Sequence, residues 1–257
     1  MLCLRPMAVA AAMLAGLAPV AKAEVAGACD TLAASPFDAA RPADVPGVRI
    51  ADIDLAAAMA ACTSAQAADP QNPRLAFQLG RVFQVAGEDD KALALYRQAA
   101  DMGYAVAMVN VGIFLEDSAP AEARVWYARA ADLGQMLGQY NLGVLYQNGV
   151  GGAVDVEKAL AYYQMASDQG DAVAAFNIAV LHDEGELIPR DAARAVTYYR
   201  LAVARGNIDA MVNLAFMAEA GDGMPADTSE ARRLFEQAAA LGDAEAAAEA
   251  ARLAAAP

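Results

Sequence analysis

Histidine, cysteine and basic residues are scarce in this chain, and each scarcity argues against a class of function. One histidine among 257 residues cannot build a histidine metal cluster, and the two cysteines outside the first few residues, Cys29 and Cys62, cannot fill a structural zinc site. Lysine and arginine number 18 against 32 acidic residues, which gives a formal net charge of -14. Because such a surface repels phosphate groups, nucleic-acid binding is disfavoured.

Reactive serine arrangements are also missing. None of the five serines is followed by lysine three residues later, so the Ser-x-x-Lys nucleophile of penicillin-binding enzymes is absent. The glycines at residues 149–152 follow no predicted strand and precede no Lys-Ser/Thr pair, so they do not form a phosphate loop. We therefore predict no catalytic residues, no metal and no cofactor.

The first residues have the features of an export signal. Arg5 precedes an apolar run over residues 7–20, and residues 21–23 (Ala-Lys-Ala) form a small-x-small cleavage motif. The run is shorter and richer in alanine than a membrane-spanning helix. We therefore predict a signal peptide over residues 1–23, cleavage after Ala23, and a periplasmic or secreted chain without stable membrane insertion. A retained anchor and a lipoprotein modified at Cys29 are the alternatives.

The two cysteines that would remain after cleavage are Cys29 and Cys62. An even pair in an oxidising compartment is typical of a disulfide. Closing a loop of this length would stabilise the fold by roughly 3–4 kcal/mol in the chain-entropy model. Two buried free thiols are the alternative.

A repeat organises the rest of the chain. Its aromatic residues, Tyr96, Tyr127, Tyr163, Tyr199 and Phe235, follow one another at intervals of 31, 36, 36 and 36 residues. Each aromatic has an alanine four residues before it, an alanine three residues after it and a glycine seven residues after it. Alanine, aromatic and alanine at this spacing lie on one face of a helix, which the glycine ends. We name this predicted helix of each repeat helix B.

A second helix, helix A, precedes each helix B. It carries a side-chain amide two residues before a glycine or alanine, as in Asn141 and Gly143. In the last three repeats an aspartate eight residues before the aromatic is placed to cap the start of helix B. The first two repeats have a shorter connection between the two helices, which accounts for the interval of 31 residues.

The motif at residues 142–149 (Leu-Gly-Val-Leu-Tyr-Gln-Asn-Gly), with Asp-Val-Glu-Lys-Ala-Leu-Ala-Tyr-Tyr at residues 155–163, resembles the Sel-1-like repeat. This family is related to the tetratricopeptide repeat, and the resemblance covers about residues 73–243. It implies an all-α, right-handed α-solenoid of about five repeats plus caps, in which the A helices line a concave face.

From this resemblance we predict a repeat solenoid over residues 71–257. Residues 24–70 should form an N-terminal segment and a capping helix, joined by the disulfide. Within that segment, the proline-containing residues 24–49 look irregular.

Two rows of polar side chains recur on the predicted A helices. The first row comprises the amides Gln78, Asn110, Asn141, Asn177 and Asn213, and the second row, six residues further on, comprises Gln84, Glu116, Gln147, Asp183 and Glu219. Asparagine is a poor residue for a helix interior, so an amide in every repeat calls for a reason. One hypothesis is a groove that binds an extended or basic peptide through amides and carboxylates. The alternative is that these side chains hold neighbouring repeats together.

These features favour an exported scaffold or regulator whose partner is an envelope protein or peptide, and the carboxylates of the second row favour a basic segment in that partner. Two alternatives are an enzyme acting on cell-wall or β-lactam compounds, as has been linked to some Sel-1-like relatives, and a secreted effector binding a host protein. The only histidine, His182, stands where an earlier repeat has Tyr146, so we interpret it as a packing residue rather than a catalytic base.

Overall fold

The computed structural model describes residues 19–255, and within that range the fold is all-α, with no strand. Its helices are α1 (Pro19–Ala33), α2 (Leu55–Ala68), α3 (Pro73–Val85), α4 (Asp89–Asp101), α5 (Ala105–Leu115), α6 (Pro120–Asp132), α7 (Met136–Asn148), α8 (Val156–Asp168), α9 (Ala172–Glu184), α10 (Ala192–Ala204), α11 (Ile208–Ala220), α12 (Thr228–Ala240) and α13 (Ala244–Ala255). A short 3-10 helix, Ile50–Asp52, precedes α2. Most of the predicted signal peptide, residues 1–18, lies outside the described residues.

Side-chain caps start several helices, including the three B helices for which the sequence predicts an aspartate cap. Asn72 accepts a hydrogen bond from the amide of Arg74 at the start of α3, and Asp155 accepts one from the amide of Lys158 at the start of α8. The amide of Asp155 itself donates to the carbonyl of Tyr146 in the preceding helix, at 2.9 Å. Asp191 and Asp227 repeat both contacts. These aspartates therefore start helix B and tie it to helix A of the same repeat.

The A helices of the last three repeats end at glycines. Gly149, Gly185 and Gly221 have φ values of 69°, 70° and 70°, a left-handed conformation that a side chain disfavours. In these three repeats seven residues connect helix A to helix B. In the first two repeats the connection is shorter and consists of residues 86–88 and 116–119. The predicted shorter connection is confirmed.

Within each repeat a buried aromatic ring of helix B fills the space opposite a small residue of helix A. A Cβ atom added at Gly143 would lie 2.7 Å from the ring of Tyr163, which is shorter than a van der Waals contact and would be a steric clash. Gly80 and Gly112 face Tyr96 and Tyr127 in the same way. The rings are almost fully buried, so the two helices pack at the close distance that the small residues allow.

The chain forms two compact units. The N-terminal unit ends at Tyr104 and contains α1 to α4, and the C-terminal unit begins at Ala105 and contains α5 to α13. In the C-terminal unit α5 pairs with α6, α7 with α8, α9 with α10 and α11 with α12. Each B helix also packs against the following A helix, and α13 packs against α12 as a terminal cap. This unit therefore has the predicted solenoid architecture of stacked helical pairs.

In the N-terminal unit, Cys29 of α1 and Cys62 of α2 form the predicted disulfide, with Cα atoms 4.7 Å apart. The expectation of irregular structure over residues 24–49 is wrong for residues 24–33, which belong to α1. This helix has no strong apolar stripe in its sequence, because small residues such as Ala33 make its buried contacts with α2 and α3.

Candidate functional site: the exposed face of the A helices

The predicted amide row differs between the two units. In the C-terminal unit Asn110, Asn141, Asn177 and Asn213 are half-buried on successive A helices. Gln78, in the N-terminal unit, is completely buried. We name the surface of α5, α7, α9 and α11 that carries the four asparagines the A face.

The second predicted row accepts hydrogen bonds from the repeat tyrosines. The Tyr127 hydroxyl donates to Glu116 at 2.5 Å and the Tyr163 hydroxyl to Gln147 at 2.7 Å. The Tyr199 hydroxyl donates to Asp183 at 3.3 Å. Each bond joins helix B to helix A within one repeat. In the N-terminal unit Tyr96 makes the same bond to Gln84, at 2.7 Å.

The asparagines contact the same hydroxyls from the next repeat. Asn213 donates to the Tyr199 hydroxyl at 3.0 Å, and the side-chain amides of Asn141 and Asn177 lie near the hydroxyls of Tyr127 and Tyr163, where they lower the pKa of each. Asn110 departs from this pattern, because its amide donates to the carbonyl of Val106 in its own helix.

We name each set of asparagine, hydroxyl and acceptor a tyrosine bridge. Asn213 therefore connects neighbouring repeats directly, and Asn141 and Asn177 lie beside the hydroxyl of the preceding repeat.

Burial strongly affects the ionisation of these hydroxyls. It raises the pKa of Tyr163 and Tyr199 well above the ordinary tyrosine value, and the side-chain amides of Asn177 and Asn213 lower it in part. For Tyr127 burial and the hydrogen bond to Glu116 both raise the pKa. The hydroxyl groups of the tyrosine bridges are therefore neutral at physiological pH.

The last repeat replaces the hydroxyl contact with an ion pair. Phe235 carries no hydroxyl, and Glu219 instead pairs with Arg252 of α13 at 2.6 Å. Arg252 lowers the pKa of Glu219 through a hydrogen bond, so the carboxylate stays charged. The ion pair with α13 thereby replaces the hydroxyl contact that Phe235 cannot make. Asp183 also pairs with a cation, because Arg190 binds both Asp183 and Asp222.

Gln78 is buried because the N-terminal segment covers α3. Its side-chain amide donates to Asp30 of α1 at 2.7 Å, and Arg74 pairs with the same carboxylate. The side-chain oxygen of Gln78 lies 3.1 Å from the sulfur of Cys29, which is a packing contact because a disulfide sulfur has no proton to donate. Gln78 is therefore not accessible to a ligand, unlike the four asparagines.

An apolar row that the sequence analysis missed runs beside the asparagines. It lies three residues further along each A helix and consists of Ile113, Val144, Val180 and Phe216. Ile113 is 50% exposed and Phe216 is 46% exposed, although the helices have ample buried apolar surface elsewhere. The signal was present in the sequence as a second apolar position per repeat, but periodicity alone cannot distinguish it from the core.

The apolar row borders a hollow between α9 and α11 of about 540 Å³. Phe176, Val180, Phe216 and Met217 form its apolar wall, and Asp183, Glu184 and Asp222 add carboxylates. The hollow also contains Asn213 and Tyr199 of the last tyrosine bridge. The A face therefore offers an open, partly apolar depression bordered by negative charge.

His182 lies away from these residues in the packing layer. It is 7% exposed and stacks on Tyr198, with ring centroids 6.4 Å apart. Burial lowers its pKa, as does the charge of Arg194. Within residues 19–255 no group of three or more histidine, cysteine or acidic side chains is arranged to hold a metal ion. None of the helices in that range is sufficiently long and apolar to span a bilayer.

Comparison with known proteins identifies the repeat. The sequence model of the Sel1 repeat matches the chain five times, at residues 74–104, 105–135, 137–171, 172–207 and 208–243. Sel1 repeat proteins generally mediate protein–protein interactions. No curated protein matches the chain.

Two solved structures show the same architecture. A protective antigen of uropathogenic Escherichia coli with an SLR fold is 26% identical, with a TM-score of 0.69, over 76% of this chain and 44% of that protein. A Sel1 repeat protein from Oxalobacter formigenes is 27% identical, with a TM-score of 0.65, over 74% of this chain and 78% of that protein. The chain thus spans less than half the length of the Escherichia coli antigen.

Proposed function

The chain belongs to the Sel1 repeat family, and we propose that it is an exported scaffold that binds a protein or peptide of the cell envelope through its A face. The observation that carries this proposal is the open hollow of the A face, where Phe216 lies beside Phe176 and Val180 and is bordered by carboxylates. Ile113 and Phe216 are about half exposed in the C-terminal unit, whereas the corresponding Arg81 of the N-terminal unit is covered by its own chain. Exposed apolar side chains grouped on one face are typical of interaction sites.

Two further features support export. The first residues combine Arg5, an apolar run and a small-x-small motif, which is the arrangement that signal peptidase recognises. Cys29 and Cys62 form a disulfide, and disulfides persist in oxidising compartments.

Site-specific photo-crosslinking in the producing cells tests the binding face. A photoreactive phenylalanine analogue replaces Ile113 or Phe216 on the A face, which are 50% and 46% exposed, and Val125 or Met165 on α6 and α8 as controls. The control residues are 58% and 48% exposed, so their accessibility is similar. We expect one defined envelope protein to be captured from the A-face positions and not from the controls. Equal capture from both sets would contradict the proposal.

The mass of the protein from the periplasmic fraction tests export separately. We expect a chain that begins at Glu24 and contains the disulfide. Deletion of residues 7–20 should leave the chain uncleaved and in the cytoplasm. A full-length chain in the cytoplasm without any deletion would contradict export and leave the binding proposal to the crosslinking result.

A further inference from the structure

In the N-terminal unit the A helix α3 is covered by the N-terminal segment of the same chain, and the two surfaces have complementary chemistry. Arg74, Gln78 and Arg81 occupy three successive turns of α3 and are all donors. Arg74 and Gln78 bind the carboxylate of Asp30, which is 3% exposed. The occupant of this donor face is thus acidic.

Backbone carbonyl groups complete that match. Arg81 donates to the carbonyl of Ala33, at the end of α1, and to the carbonyl of Val48, both at 2.6 Å. A helix C-terminus carries free carbonyls and partial negative charge, which suits a guanidinium group. The N-terminal unit therefore covers a positively charged A helix with a negatively charged segment.

The C-terminal unit has different chemistry at the same repeat positions. Where α3 has Arg81, the later A helices have Ile113, Val144, Val180 and Phe216. Where α3 has Arg74, three of the four later A helices have Val106, Leu137 or Val173, and the last has Asp209. None of the eight positions keeps a positive charge, so the A face cannot bind an acidic segment in the way that α3 binds Asp30.

The hollow between α9 and α11 combines the apolar row with negative charge. Phe176, Val180 and Phe216 form an apolar wall, while Asp183, Glu184 and Asp222 line the same hollow. Arg190 neutralises only part of that charge, since it pairs with both Asp183 and Asp222 and leaves Glu184 exposed. A ligand that enters here meets apolar side chains first and a net negative field beside them.

We infer that this hollow takes a segment of a partner protein that inserts an apolar side chain and places a lysine or arginine beside Glu184. The inference rests on the proposed function and gives the partner segment a chemistry. The apolar side chain contacts Phe176, Val180 and Phe216, whose exposed surface it removes from water. The cation meets the carboxylates at the rim, where charge sets the association rate and excludes acidic segments. An acidic segment such as Asp30 with its neighbours is the occupant that the hollow rejects.

A peptide library tests the chemistry without knowledge of the partner. Random 12-residue peptides displayed on phage are selected against the immobilised, disulfide-bonded protein and against its Phe216→Ala variant. Peptides that need Phe216 are sequenced, and representative peptides are synthesised for affinity measurement by fluorescence anisotropy. We expect them to combine a large apolar residue with lysine or arginine within about one helical turn.

Matched charge variants test the role of Glu184. Glu184→Lys should weaken binding of the selected peptides at least tenfold, and added salt should reduce the difference. Glu157→Lys, which makes the same charge change at an exposed position of α8, should leave the affinity within about twofold. Circular dichroism of each variant checks that the helices are retained, which we expect because Glu184 is the exposed last residue of α9.

The outcomes separate the inference from the proposed function. Peptides that need Phe216 but are acidic or without charge bias would overturn the inference and leave the A face as a binding surface. An equal response to Glu184→Lys and Glu157→Lys would also overturn it. Failure to recover any peptide that depends on Phe216, together with no crosslinked product at Ile113 or Phe216, would overturn both.

Discussion

At the scale of single residues, a hydroxyl group decides how neighbouring repeats are joined. The Tyr163 hydroxyl donates to Gln147 of its own repeat and lies near the side-chain amide of Asn177 of the next, which lowers its pKa. Tyr163→Phe keeps the buried ring and removes the hydroxyl that both side chains contact. We expect the free energy of unfolding to fall by about 1 kcal/mol, because the half-buried partners lose a protein hydrogen bond. Urea denaturation monitored by circular dichroism measures the change.

A double-mutant cycle shows whether the loss comes from the bridge. Asn177→Ala should cost less in the Tyr163→Phe background than in the original chain, by about 0.5 kcal/mol or more. Tyr162→Phe is the matched control, because Tyr162 stacks on Tyr146 outside the tyrosine bridges. Additive effects of the two substitutions would mean that Asn177 does not act through Tyr163.

His182 makes stability depend on pH. Burial and Arg194 lower its pKa, so the folded chain binds this proton less readily than the unfolded chain does. Stability from this residue is therefore present above the ordinary histidine pKa of about 6.5 and is lost as the pH falls below it. In His182→Phe the drop in unfolding free energy between pH 7.5 and pH 5 should be smaller.

The chain has one histidine, so carboxyl groups and the terminal amino group account for the pH dependence that remains in His182→Phe. The substitution should also be tolerated near neutral pH, because the buried Nδ1 atom has no hydrogen-bond partner to lose. Equal pH dependence in the two proteins would contradict the role of His182.

At the scale of helices, the close approach within a repeat depends on particular small residues. Gly143→Ala improves helix propensity by about 1 kcal/mol, but the added Cβ would lie 2.7 Å from the Tyr163 ring. The ring is buried and cannot move aside freely, so we expect a net loss of about 1–3 kcal/mol. Ala179→Gly, at the equivalent position of α9, is the matched comparison. It should lower stability only through lost contacts and lower helix propensity. A higher melting temperature for Gly143→Ala in thermal denaturation would contradict this prediction, because it would show that the distance between the two helices adapts to the added methyl group.

The sequence predicted these helices because their signals are local. Tyr163 with its flanking alanines, the cap at Asp155 and the glycine at 149 each specify one helix or one end without knowledge of the fold. Helix α1 was missed because alanines and Cys29 supply its buried face, and such residues make little apolar contrast. The burial of Gln78 could not be predicted either, since it depends on where α1 packs rather than on any repeat.

At the scale of the whole molecule, the buried tyrosine hydroxyl in each of the first four repeats makes the stability of the fold sensitive to alkali. The repeat spacing predicted that Tyr96, Tyr127, Tyr163 and Tyr199 are equivalent core residues, but it could not predict their bonds to the second polar row. Those bonds depend on the distance between helices that are paired only in the folded chain. The same limit applies to the asparagines, whose partners lie in a different repeat.

Burial raises the pKa of all four repeat tyrosines, so the unfolded chain loses their protons at a lower pH than the folded chain does. Their contribution to stability is therefore complete below the ordinary tyrosine pKa of about 10 and is lost as the pH rises beyond it. We expect the unfolding free energy to fall steeply above pH 10, with tyrosinate absorbance from these residues appearing only as helicity is lost. The chain in concentrated urea, which should ionise near pH 10, supplies the reference titration. Full ionisation of all nine tyrosines near pH 10 with helicity retained would contradict this account, because a hydroxyl that ionises freely cannot be held in a buried bridge between two repeats.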